Sequence, residues 1–154
     1  MSRPRANRPG RYPVAIHCQV SAGLPTTAIR RWAQTVRRRL ASPAGELSIA
    51  VVKPTASRRL NRRWRGIDRP TNVLSWRLST PDVFRPSPAE RQWGEIVLCP
   101  AMVRREYRRY RRTYAQHFRS LLVHGLMHLC GFDHHTPAAA ERWRQREEAI
   151  TVQS

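Results

Sequence analysis

Three histidines and a glycine, with their spacing, constrain this chain more than any other feature. In HGLMHLCGFDHH, residues 124 to 135, His124 and His128 are four apart, Gly131 follows, and His134 arrives ten residues after the first. On an α-helix, positions i and i+4 lie one above the other on the same face. Two imidazoles therefore meet here only if the segment is helical. Gly131 stops such a helix and lets the chain turn back, which brings His134 toward the other two. The apolar residues between them, Leu126, Met127 and Leu129, read as core, so the helix buries one side and presents imidazoles on another.

Three neutral imidazoles would give a tetrahedral zinc ion three ligands and one open position, the arrangement of a catalytic rather than a structural site. A lone histidine on an apolar face is ordinarily a hydrogen-bonded core residue, but the complete frame H-x-x-x-H-x-x-G-x-x-H is that of the metzincin zinc site. His117 lies seven residues before His124, roughly 10 Å along a helix axis, too far to share one ion. His135 neighbours a ligand and points elsewhere, and with His17 it is read as a non-ligand. Asp133 is either a partner that orients a ligand imidazole or a turn residue. A zinc protease of this frame carries a general-base Glu directly after the first histidine; here that residue is Gly125.

The rest of the chain reads as one α+β domain. Residues 1–13, rich in Arg and Pro, form a disordered basic tail, and 14–154 the domain. Strands are predicted at VAIHCQV (14–20), ELSIAVV (46–52), NVLSW (72–76) and GEIVLC (94–99), giving an approximately four-stranded mixed sheet packed with helices. The periodicity predicts an amphipathic helix over Thr27–Leu40, with arginines off its apolar stripe, and a short one around Ser57–Trp64. Residues 79–93 read as a Pro- and Ser-bearing connection. A helix opening at Pro100 carries Val103, Tyr107, Tyr110 and Tyr114 at helical spacing over a tyrosine-lined core, with arginines opposite. The histidine helix spans Gln116–Cys130, and a terminal helix opens with Thr136 as N-cap and Pro137 at its first position. The metal site thus falls on a C-terminal helix and the turn after it.

Twenty-nine basic residues oppose ten acidic ones, a net charge of +19, and all but Lys53 are arginine. Arginine grips phosphate with a planar fork, so the field points to nucleic acid or an anionic membrane. No stretch approaches the roughly 20 apolar residues that span a bilayer, and MSRPRANRPGRYP lacks the apolar segment of a signal peptide. Cys18, Cys99 and Cys130 have neither an even count nor CxxC spacing, which predicts reduced thiols in the cytosol.

HGLMHLCGFDH resembles the H-G-x-L-H-L-x-G-Y-D-H motif of the YbeY family, the bacterial rRNA maturation factors and single-strand-specific endoribonucleases. LNRRWRGIDRPTNVLSW (60–76) is similar to that family's L-N-x-x-Y-R-G-x-D-x-P-T-D/N-V-L-S-F block, and WGEIVLC to its L-G-D-I-V-I-C strand. The resemblance implies one zinc per chain on His124, His128 and His134, and places on Arg65 the arginine implicated in nuclease function. Spacing alone would make Arg65 a loop ion pair with Asp68. The implied activity is zinc-dependent cleavage of single-stranded RNA in 16S rRNA 3′-end maturation and late ribosome quality control. Its implied partners are rRNA, the small ribosomal subunit and associated proteins in the cytoplasm, with neither DNA nor membrane. Trp76 for Phe, Arg77 where proline often follows, Phe132 for Tyr, Glu95 for Asp and KPTAS for an acidic run are departures, none at a ligand. A non-catalytic, ribosome-associated RNA-binding zinc protein is the alternative, and a metzincin-like protease, lacking its Glu at Gly125, is the minority reading.

Overall fold

The strand ELSIAV alternates buried and half-buried residues, Leu47, Ile49 and Val51 pointing to one side, as a strand with one core-facing surface must. This computed structural model describes residues 12–78, 91–132 and 134–152. Four strands, β1 (Val14–Cys18), β2 (Glu46–Val51), β3 (Val73–Arg77) and β4 (Gln92–Leu98), form one sheet in the order β1-β2-β4-β3. The pairs β1–β2 and β2–β4 are parallel, and β3–β4 is antiparallel. Five α-helices complete the described fold: α1 (Thr26–Arg39), α2 (Pro54–Arg65), α3 (Pro100–Glu106), α4 (Tyr114–Leu129) and α5 (Pro137–Val152). The α+β reading with a four-stranded mixed sheet holds. The predicted tail lies outside the described residues up to position 11, as does the connection over 79–90; β4 begins at Gln92, earlier than GEIVLC suggests.

One sheet face carries the main core, in which Leu47, Ile49, Ile96 and Leu98 meet Ile29, Ala33 and Val36 of α1 and Phe118, Leu122 and Leu126 of α4. The other face holds a smaller cluster, Val52, Leu74, Val97 and Cys99, covered by Ala56 and Leu60 of α2 and by Ala101 and Met102 of α3. Two glycines let α4 lie close on β4. A Cβ on Gly94 would sit 2.9 Å from Leu129 Cδ1, and one on Gly125 would sit 3.2 Å from Ile96 Cδ1.

Two expectations are corrected. The helix from Pro100 does not run to Tyr114: it ends at Glu106, a 3-10 turn covers Tyr107–Tyr110, and Arg111 takes a left-handed φ of 51°. A capping box is the cause. The Gln116 backbone N–H donates to Thr113 Oγ1 while the Thr113 N–H donates to Gln116 Oε1, which starts a new helix at Tyr114. Tyr110 is consequently exposed, while Tyr114, now at the start of α4, does pack against the main core. Second, Arg37 lies not on a solvated face of α1 but fully inside. Its guanidinium donates to Ser42 Oγ and to the Pro13, Pro43 and Gly45 carbonyls at 2.8–3.1 Å, and lies 4.6 Å from the Trp93 ring centroid. Burial lowers its pKa to about 10, so it stays charged at neutral pH, solvated by carbonyls instead of a carboxylate.

Replacing Arg37 by leucine orphans those buried acceptors, so Arg37→Leu should cost about 3 kcal/mol or more. A thermal melt should then fall by roughly 10 °C; an unchanged melt would show that the carbonyl cage is not structural.

Candidate metal centre and its cleft

α4 projects its apolar residues toward the sheet and leaves His124 and His128 on a half-buried edge. Gly131, at φ 85°, turns the chain after the helix, and His134 returns to the same place. One ring nitrogen from each of His124, His128 and His134 lies within 4.8 Å of the others, the sole such cluster among the described residues. The Nε2 atoms of His124 and His128 are 3.1 Å apart. Two imidazoles bound tetrahedrally at zinc–nitrogen distances of about 2.05 Å would hold their nitrogens roughly 3.3 Å apart, so the His124–His128 pair matches such a site and His134 lies within reach of it. Asp133 lies outside the described residues.

The remaining histidines do other work. His117 is buried, its Nε2 3.0 Å from Glu106 Oε1 and its ring stacked on Tyr110. Glu106 also accepts from Asn72 Nδ2, so His117 ties α4 to the segment before β3. His17 and His135 are exposed and outside the cluster.

Two residues on α5 escaped the sequence reading. The Trp143 ring sits 4.7–4.9 Å from the centroids of all three histidines, and its indole N–H donates to Glu147 Oε2. Glu147 Oε1 in turn stands 3.6 Å from His124 Nδ1. The spacing of Trp143 and Glu147, four apart on a helix that follows the histidines, is the one signal that could have pointed to them.

A cleft of about 630 Å³ opens beside the cluster, lined by His124, His128, Trp64, Arg65, Trp76 and Arg77 among others. Arg65 is the last residue of α2 rather than a loop residue, and Gly66 caps the helix in the left-handed conformation at φ 72°. Asp68 does not pair with it: Arg58 Nε and Nη2 hold both Asp68 oxygens at 2.8 and 2.9 Å, which pulls the Asp68 carboxyl below its ordinary pKa. Ser57 Oγ bridges to the Thr71 backbone, and Asn61 Nδ2 donates to the Arg69 carbonyl. These bonds pin the 66–72 loop to α2, leaving Arg65 on the cleft wall. Position 125 faces Ile96, so a glutamate there would enter the sheet interface.

A family model described as Endoribonuclease YbeY matches residues 16–154. The Endoribonuclease YbeY of Halorhodospira halophila is 42% identical over 106 residues, which is 69% of this chain and 68% of that protein. Its counterpart in Aromatoleum aromaticum is 39% identical over 137 residues, 88% of this chain and 81% of that protein. The solution structure of TM1509 from Thermotoga maritima matches with a TM-score of 0.58 at 22% identity, over 91% of this chain and 90% of that one, and shows the same fold.

Burial, then the neighbouring His124, His134, Arg65 and His135, lower the His128 pKa to about 4. The unfolded chain therefore takes up a proton near pH 6.5 that the folded, metal-free protein refuses until about pH 4. Stability is fully present above about 6.5 and declines as pH falls toward 4. Metal-free protein should thus show a falling urea midpoint across that window, shallower in His128→Gln; equal slopes would contradict the assignment.

Proposed function

This chain belongs to the Endoribonuclease YbeY family, an RNA-cleaving enzyme family, and on that premise we propose a zinc-dependent endoribonuclease that cuts single-stranded RNA during 16S rRNA 3′-end maturation and ribosome quality control in the cytoplasm. The observation that carries the reading is the convergence of His124, His128 and His134 beside the cleft that His124, His128 and Arg65 line. No described helix is long and apolar enough to cross a membrane; the +19 charge suits an RNA backbone. The ribosomal small subunit and its associated proteins are the partners this reading carries.

Under this proposal the three imidazoles hold one zinc ion through their neutral nitrogens. Bound there, zinc supplies Lewis acidity toward water or a phosphoryl oxygen. His128, kept neutral by its surroundings, keeps a lone pair free for a metal at physiological pH. Arg65 holds the scissile phosphate and stabilises the charge that builds on it. Trp143 packs against the three rings and restricts their rotation. A non-catalytic RNA-binding zinc protein would use the same ligands but would not need Arg65 in the cleft.

Single-turnover cleavage of single-stranded RNA, with zinc content and thermal melts alongside, separates the readings. Arg65→Ala should keep its metal and melting temperature and lose roughly 10² or more in rate, as loss of one positioned oxyanion donor does. His134→Ala should lose metal and activity together, whereas His117→Ala should keep its metal. Parental cleavage by Arg65→Ala would remove the catalytic role.

The arginine-rich surface makes a further quantitative claim. RNA affinity should fall steeply with salt, by about 0.7 counterion for each phosphate neutralised on a single strand. A flat dependence would mean that the charge is not spent on RNA.

A further inference from the structure

Trp64 and Trp76 stack with ring centroids 5.6 Å apart and planes inclined by 21°, yet Trp64 is 56% exposed. The two come from different elements, the last turn of α2 and the C-terminal end of β3. Trp76 is anchored from below by the smaller core cluster, so the pair is fixed in place. An indole with more than half its surface in water adds little to that core, and a leucine would cover Trp76 as well.

Its surroundings indicate a ligand. Both rings line the cleft that holds Arg65, Arg77, His124 and His128. The Arg63 guanidinium lies 5.4 Å from the Trp64 ring centroid. Arg77, exposed, is held by an Nε donation of 2.7 Å to the Leu129 carbonyl at the end of α4. A flat π surface thus stands among guanidinium groups, beside the histidine cluster. Aromatic stacking with cationic flanks is how proteins hold unpaired bases of a single strand: the ring takes the base and arginines take the phosphates.

We propose that Trp64, backed by Trp76, is a stacking platform for one unpaired nucleobase next to the phosphate held at Arg65. This rests on the RNA-cleaving reading and adds to it a physical source of single-strand selectivity. A paired base has both faces covered by its neighbours in the duplex and cannot lie on the indole. Every base offers a π face, so the platform selects for strandedness and not for sequence.

The test uses the zinc-loaded full chain with a single-stranded RNA octamer, its annealed duplex, and octamers carrying one abasic position moved along the strand. Binding is read by fluorescence anisotropy in the cold before turnover, with gels confirming that the RNA is still intact at the reading, and cleavage of the same octamer on warming is followed separately on gels. Trp64→Ala and Trp64→Leu should weaken single-strand binding roughly tenfold or more, with zinc content unchanged, while Trp64→Tyr keeps most of the affinity. Trp64→Leu guards against misfolding, since it still covers Trp76. Duplex binding should be indifferent to all three. An abasic site at one position should weaken the parent to the level of Trp64→Leu and not weaken Trp64→Leu further. Parental affinity in Trp64→Leu, with the parent binding and cutting, would overturn the platform alone and leave the exposed indole to a protein partner. A parent that neither binds nor cuts the octamer would overturn both the platform and the RNA-cleaving reading.

Discussion

The packing of α4 against the sheet sets the direction of everything that follows. Phe118, Leu122, Leu126 and Leu129 are buried, and Gly125 lies so close to Ile96 that even a Cβ there would force Ile96 to shift by a few tenths of an ångström. A helix clamped along one side has no rotational freedom, so its neighbouring edge must carry His124 and His128 toward the cleft. Interiors this tightly packed transmit strain instead of absorbing it. The geometry of the donor nitrogens is thus inherited from the core, and α5 completes it by laying Trp143 against the three rings.

The second organising constraint is charge. A chain at +19 must place its arginines where they repel least, and most occupy solvent. Among the described residues Arg37 is the buried arginine, enclosed by carbonyls and by the Trp93 face, where a cation interacts with the ring quadrupole. Arg65 and Arg77 sit at the cleft, Arg77 fixed to the Leu129 carbonyl. Arg58, in contrast, is neutralised by Asp68, and that pairing leaves Arg65 without the carboxylate that spacing alone would have assigned to it.

Much of this was legible in the sequence because periodic signals are local. The i, i+4 histidines, Gly131 and the alternation in ELSIAV each map onto a single element, and the structure contains all of them. The Thr113-x-x-Gln116 capping box was equally local, yet the run of tyrosines at helical spacing masked it. What could not be read was tertiary. Nothing in TTAIRRWAQTVRRR marks Arg37 as the buried arginine, because its partners are backbone carbonyls of Pro13, Pro43 and Gly45, which carry no side-chain signature. Trp143 and Glu147 reach the histidines only through the docking of α5, and the pairing of Trp64 with Trp76 depends on how α2 meets β3.

The central claim is that histidines held by this core bind a metal that the protein uses to cut single-stranded RNA. Its most direct test is cleavage of one single-stranded RNA by the protein as purified, after chelation and dialysis, and after stoichiometric zinc is restored. The account predicts cleavage, loss of cleavage, and recovery at about one equivalent of zinc per chain. Cleavage that survives complete removal of the metal, or a zinc-loaded protein that binds the RNA without cutting it, would contradict it.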